Sequence, residues 1–404
     1  MLTTSPFAAL TTRLATPARL LAARLGKGRM GEQSGSAAQD RAEAGPVAVL
    51  EGRLHAAILP QSPMQKLWQA QVDEAALLAE AGQWRRLFDS LRQADRDRAA
   101  APAGRRLACL ISEGARAALA KPLACKDWTA ALAELDRLVA VQAAHPADPM
   151  AAAVLALAHL DYGWARRAAN LGPAIPREAW AAFTQHTRLA EAVLDGFDPI
   201  EEDSPHLARA RYLLVRGIED GDALCRDWYE DWSDLDPSNA EPHVVHAEHL
   251  LPQWFGTFAG FEPAARRAMK RTQDRSGAAA YALFHRAAAK VLGELAPGAD
   301  IKLYIKGLQD YYAATPGQHH ANQTAAALAA LLADLIEIGP EAHEAQLVRQ
   351  ALSTHLRQNL REIHLSTWEQ GAIGVSQALR EVFGAELGQG AHLYASETGL
   401  VAKA

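Results

Sequence analysis

Three histidines hold the most chemically suggestive spacing in the chain. His243, His246 and His249 recur at every third residue. At ~100° per residue on a helix they fall within about a third of its circumference. Glu241 and Glu248 lie beside them. Two or three imidazoles on one stripe form a ligand set for a transition metal such as zinc, iron, nickel or manganese. The surrounding motifs do not follow suit, since there is no H-E-x-x-H and no pair of Glu-x-x-His motifs as in di-iron bundles. Histidines on an inner helix face more commonly pack or hydrogen-bond a neighbour, so the stripe stands as a metal or small-ligand candidate beside a packing role. The vicinal His319-His320, after Pro316-Gly317, reads as solvent-facing at a helix start.

Other catalytic signatures are missing from the sequence. No serine sits in a G-x-S-x-G and no G-x-x-x-x-G-K-[ST] occurs. Gly26-Lys27-Gly28-Arg29-Met30-Gly31 has the G-x-G-x-x-G form. A dinucleotide site needs a strand before that motif and a helix opening at it, and here an Arg-rich stretch precedes and a Gly/Ser/Gln stretch follows. The three cysteines, Cys109, Cys125 and Cys225, form no C-x-x-C and are odd in number, which fits buried thiols in a reducing compartment. No cofactor is expected, and catalysis has no positive signal.

Charge is more informative than catalysis. A net charge of −6 argues against binding nucleic acid through bulk charge. Between Asp195 and Asp236 acids far outnumber bases, with Glu201-Glu202-Asp203, Asp220, Asp222, Asp227, Glu230, Asp231 and Asp234. Shortly afterwards come Arg266, Arg267, Lys270 and Arg271. On a helix, Arg266 with Lys270 and Arg267 with Arg271 are i, i+4 pairs on adjoining stripes. These four bases are the expected partner-binding surface, a polarised face suited to a charged peptide or domain. No apolar run approaches the ~18 residues of a membrane span.

The elements that position these residues are helices. Alanine and leucine dominate and β-branched residues are sparse, a helix-forming composition. From Ser62 onward the pattern is cap, helix, break, helix. Ser62-Pro63 and Gly82-Gln83-Trp84 each open a helix, and a further helix spans about 105–121. Asp127 caps one bearing Trp128, Leu132, Leu135, Leu138 and Val139, and Asp148-Pro149 opens a partner running to about Tyr162. Helices follow over about 176–194 and 204–217, and Cys225–Trp232 leads to the next joint. After Asp236-Pro237, Ser238-Asn239-Ala240-Glu241 has the form of a capping box for the histidine helix, which Pro252 ends. Trp254, Phe255, Gly256 and Phe258 then form an aromatic knot, with glycine where backbones approach closely. Further helices are expected over about 277–295, 301–313, 318–338, 340–363 and 366–383, and no strand is expected.

Two stretches carry a resemblance. Gly82-Gln83-Trp84 through Leu91 and Lys126-Asp127-Trp128 through Leu135 share an aromatic at the helix start. With the Leu235-Asp236-Pro237-Ser238-Asn239-Ala240-Glu241 joint, they resemble the second helices and joints of divergent tetratricopeptide (TPR) repeats. The span from Trp164 to about Tyr281 also resembles a group of uncharacterised bacterial proteins. It shares with them a W-x-x-F helix (Trp180 with Phe183), two Asp-Pro joints (Asp198-Pro199 and Asp236-Pro237) and the Trp254-Phe255-Gly256 knot. The resemblance brings no catalytic residues with it.

The expected fold is all-α, a solenoid of TPR-like antiparallel helix hairpins. Residues 1–45 are expected to be a flexible basic tail and 46–295 the helical repeat region. Residues 296–384 form a C-terminal helical unit after Ala296-Pro297-Gly298, and 385–404 a loosely ordered tail. The expected function is a non-enzymatic protein–protein interaction scaffold or adaptor in the bacterial cytoplasm. The alternative is a helical metal- or small-ligand-binding protein, enzymatic or not, centred on His243, His246 and His249. A weaker third reading tethers the chain to a membrane surface through the basic tail near Leu20–Leu25.

Overall fold

The computed structural model describes residues 49–168 and 176–404. The expected basic tail, its tether and the 26–31 glycine motif lie outside the described residues. The chain is mostly helical, with sixteen α-helices among the described residues. Short connections make sequence neighbours pack against each other, and adjacent helices form the closest pairs. The described residues fall into two compact units, one of 66–260 and one of 49–65 with 261–404.

The first unit contains α1 (Pro63–Glu80), α2 (Trp84–Arg96), α3 (Leu107–Ala115), α4 (Ala117–Cys125), α5 (Trp128–Ala144) and α6 (Pro149–Ala168). It continues through α7 (Arg177–Leu194), α8 (Pro205–Tyr212), α9 (Gly221–Leu235) and α10 (Glu241–His249). One core joins Leu87, Phe88 and Leu91 of α2 to Leu135 and Leu138 of α5 and to Val154 and Tyr162 of α6. The opposite side of α6, through Ala152, Ala156 and Leu160, meets Leu194 of α7 and Leu207 of α8. α6 is buried on both faces, so it reads as a nearly continuous apolar run rather than an amphipathic stripe.

Several helix starts follow from local chemistry. Asp127 accepts a bond from the Ala130 amide, Ser204 from Leu207 and Asp300 from Leu303, each satisfying an amide of the first turn. The helix expected over 105–121 is instead two. The break falls at Arg116, whose backbone leaves helical geometry while its guanidinium binds Ser112 and Asp161. Gly114 on α3 lies so close to α1 that a Cβ would stand 2.3 Å from the Val72 carbonyl. The expected capping box at Ser238 does not form. Asn239 accepts from the Glu241 amide, Ser238 accepts from Arg106, and the Glu241 carboxylate turns to Arg209.

The second unit holds α11 (Phe258–Ser276), α12 (Ala279–Leu292), α13 (Ile301–Ala314), α14 (Gln318–Ile338), α15 (His343–Asn359) and α16 (Ala372–Gly388). The Ala296-Pro297-Gly298 break lies inside this unit, between α12 and α13. The expectation of no strand is corrected here. β1 (Leu54–His55) pairs parallel with β4 (His392–Ala395), which pairs antiparallel with β5 (Leu400–Lys403). β2 (Ala57–Leu59) pairs parallel with β3 (Glu362–His364), bringing Ile58 opposite Ile363. Strands of two to four residues carry no period-two pattern, and the two parallel pairs join partners some three hundred residues apart, which leave no local trace. The end of the chain is correspondingly built in, with Leu393 and Leu400 wholly buried. It is not a loose tail.

By length and composition α14 is long and apolar enough to cross a membrane. Here it is a core helix that buries Leu328, Leu331 and Leu332 and packs against α15. Near its start, Asn322 donates to the Glu362 carbonyl and accepts from the His364 amide and the Trp368 ring. His320 is buried and holds the Thr315 carbonyl, and His319 bonds Ser62 and Gln323. The expectation of two solvent-facing histidines is therefore replaced by two that lock this helix start.

Candidate functional site

The histidine stripe forms as the spacing requires, and all three rings point inward, each at most 4% exposed. His243 Nδ1 lies 2.9 Å from the Tyr229 hydroxyl on α9. His246 Nδ1 and His249 Nδ1 lie 2.6 and 2.9 Å from one hydroxyl, that of Tyr212 on α8. A phenol has one proton, so Tyr212 donates to one imidazole and accepts the Nδ1 proton of the other. His246 also stacks on Tyr229 with centroids 3.9 Å apart and planes 5° from parallel. Cys225 Sγ completes the cluster, 3.5 Å from the Tyr212 oxygen. Burial pushes His243 down to about 4 and His249 well below its ordinary value, so these rings are neutral at pH 7. Each Nδ1 faces a phenol, and no group of three His, Cys, Asp or Glu among the described residues is arranged to hold a metal.

Directly after the stripe, the knot turns the chain. The Trp254 amide bonds the Leu251 carbonyl and the Phe255 amide the His249 carbonyl. Gly256 is needed for space, because a Cβ there would stand 1.6 Å from the Leu250 oxygen. Phe255 meets the His249 ring edge-on, whereas Phe258, at the start of α11, is exposed. Trp254 is half-buried, 5.9 Å and edge-on from Trp164 of α6. Two guanidiniums lie over its ring, Arg216 at 4.3 Å and Arg167 at 5.1 Å. Arg167 also lies over Trp164 at 5.0 Å and Trp180 at 4.5 Å. Sequence alone marked the aromatics of this cluster and missed both arginines. Arg167 follows Trp164 by three residues, which on a helix was the available signal.

A third polar group fastens the Asp236-Pro237 joint. Arg106 on the approach to α3 holds Asp236 and Ser238. Asp95 accepts from the Ser204 hydroxyl and the His206 amide, and burial raises its carboxyl to about 6. Arg209 holds Glu241 at 2.8 Å. Between these groups Cys109 Sγ stands 4.0 Å from His206 Nδ1, a pairing reminiscent of a thiol nucleophile and its base. The energetics are opposite. Burial pushes the Cys109 thiol up to about 12 and the His206 imidazole well down, so the neutral pair is favoured and no thiolate forms near pH 7.

All four bases of α11 lie on its exposed face. Arg266 is engaged within its own unit: it bonds Glu262 at 2.7 Å and Asp300 at 3.3 Å and lies over the Tyr281 ring. Glu262 in turn accepts from the Tyr281 hydroxyl and pairs with His285. Arg267, Lys270 and Arg271 are exposed. No family model matches the chain, and no curated protein or solved structure matches it.

Proposed function

We propose that the chain is a non-enzymatic interaction scaffold. In this reading its sequence-adjacent helix pairs are divergent TPR-like hairpins stacked as a solenoid, working in a reducing compartment such as the bacterial cytoplasm. The partner is a protein or peptide, with an acidic segment that meets the exposed face of α11 through Arg267, Lys270 and Arg271. The observation that carries this reading is the contrast between the interior and that helix. His243 and His249 are neutral and face phenols, and Cys109 with His206 is a neutral pair, while Arg267, Lys270 and Arg271 stand exposed within two turns. The free state of the three cysteines is consistent with the compartment.

The experiment is a calorimetric titration of the intact chain with acidic peptides and with composition-matched neutral ones. Saturable binding of acidic peptides alone, weakening with added salt, supports the scaffold reading. Equal binding of both sets, or turnover of any of them, contradicts it.

A further inference from the structure

Arg167 and Arg216 come from different elements of the first unit, yet their guanidiniums share the same two indole rings, Trp164 and Trp254. The fold has therefore brought two cations together. Against them stands one carboxylate that is close but not in hydrogen-bond contact, Glu248 at 3.7 Å from Arg216. The Arg216 side chain is only 10% exposed, and its Nε is buried with no hydrogen-bond acceptor. The Nε of Arg167 is in the same state. Ring faces stabilise a cation but accept no N–H bond in the guanidinium plane, so these donors remain unused. Trp180, over which Arg167 also lies, is 38% exposed.

We infer that Arg167 and Arg216 form a receptor for a phosphoryl-type oxyanion, walled by Trp164, Trp180 and Trp254. Two planar forks with unused in-plane donors match the several acceptor oxygens of such a group, and the indole walls hold the forks rigidly. Burial pushes the Arg216 guanidinium down to about 10, with Arg167 adding to the effect, and both cations remain charged at pH 7. A bound dianion would relieve that cost. Glu248 works against it, because its carboxylate faces the same cation.

The test is isothermal titration of the intact protein with inorganic phosphate against chloride at matched ionic strength. The expected result is one saturable site, weakened about tenfold or more in Arg167→Gln through loss of a charge-assisted fork. Glu248→Gln, which removes no donor from the site, is expected to tighten binding severalfold. Circular dichroism shows whether each variant keeps its helices. Should Arg167→Gln unfold, the Glu248→Gln comparison decides alone. Absence of a saturable site in the wild type, unchanged affinity in folded Arg167→Gln, or no tightening in Glu248→Gln overturns the assignment. A phosphoserine peptide that binds more tightly than inorganic phosphate would place the group on a partner chain. The reverse order would make it a free phosphate, and both orders support the site.

Discussion

Arg106 grips Asp236 with both arms of its guanidinium, Nε to Oδ2 at 2.5 Å and Nη2 to Oδ1 at 2.6 Å, across 130 residues of sequence. The Asp236 side chain is 2% exposed and that of Arg106 12%, so the pair is almost dry. It ties the chain just before α3 to the joint that precedes the histidine helix. Breaking a buried pair from one side leaves an uncompensated charge and costs roughly 3–5 kcal/mol. Arg106→Ala should therefore lower unfolding free energy by about that much in urea titration. A loss under about 1 kcal/mol, the range of exposed pairs, would show that the joint is held by something else.

The tight turn after α10 makes a sharper steric prediction. Gly256→Ala drives a Cβ into the Leu250 carbonyl, and a backbone shift of that kind costs roughly 1–3 kcal/mol. Gly384, inside α16, has open space around its Cα and no left-handed φ. Gly384→Ala should stabilise by about 0.4–1 kcal/mol through the unfolded chain. Melting curves of the two variants should move in opposite directions, and a shared direction would refute the packing at Gly256.

Tyr212→Phe removes a single oxygen, which takes the hydroxyl from His249 Nδ1 and leaves His246 Nδ1 facing the Cys225 thiol at 3.7 Å. Each buried polar group left without a partner costs about 1–3 kcal/mol. The expected loss is at that level or above, with helical content retained. Full stability in Tyr212→Phe would mean that the His246 and His249 contacts are replaceable. Adding zinc or nickel should not raise the melting temperature of the wild type, and a clear rise would revive the metal reading of the stripe.

Acid should unfold the protein earlier than its carboxylates alone would dictate. His159, His243 and His319 are held down to about 4 by burial, and other interior imidazoles are lowered as well. Between about pH 6.5 and 4 the unfolded chain binds protons that the folded chain refuses, so stability falls as pH falls through that window. Each such group contributes about 1.4 kcal/mol per pH unit. Asp95 and Asp334, raised to about 6, act in the opposite sense and are outnumbered. A melting temperature flat from pH 7 to 4.5 would contradict the burial of these rings.

Local chemistry was legible in the sequence, and long-range pairing was not. Asp127 and Ser204 cap the helices that their positions announce, because a cap and its amides lie within four residues. The spacing of His243, His246 and His249 announced one shared face. Their phenol partners, 14 to 37 residues away on other helices, left no mark in that spacing. Ser238 and Glu241 matched a capping box in type and distance, yet Arg106 and Arg209 won both groups because a buried guanidinium is the stronger partner. The parallel pairing of Ile58 with Ile363 was beyond reach for the same reason of distance.

The central claim is that the exposed bases of α11 serve a partner and not the fold. Glu substitutions at Arg267 and Lys270 together test it, with thermal unfolding and acidic-peptide affinity measured on the same sample. Exposed side chains away from structural features usually change stability within about 0.5 kcal/mol. The account predicts an unchanged melting temperature and loss of the salt-sensitive peptide binding. A destabilised fold that still binds the peptides as the wild type does would make these bases internal counter-ions and contradict it.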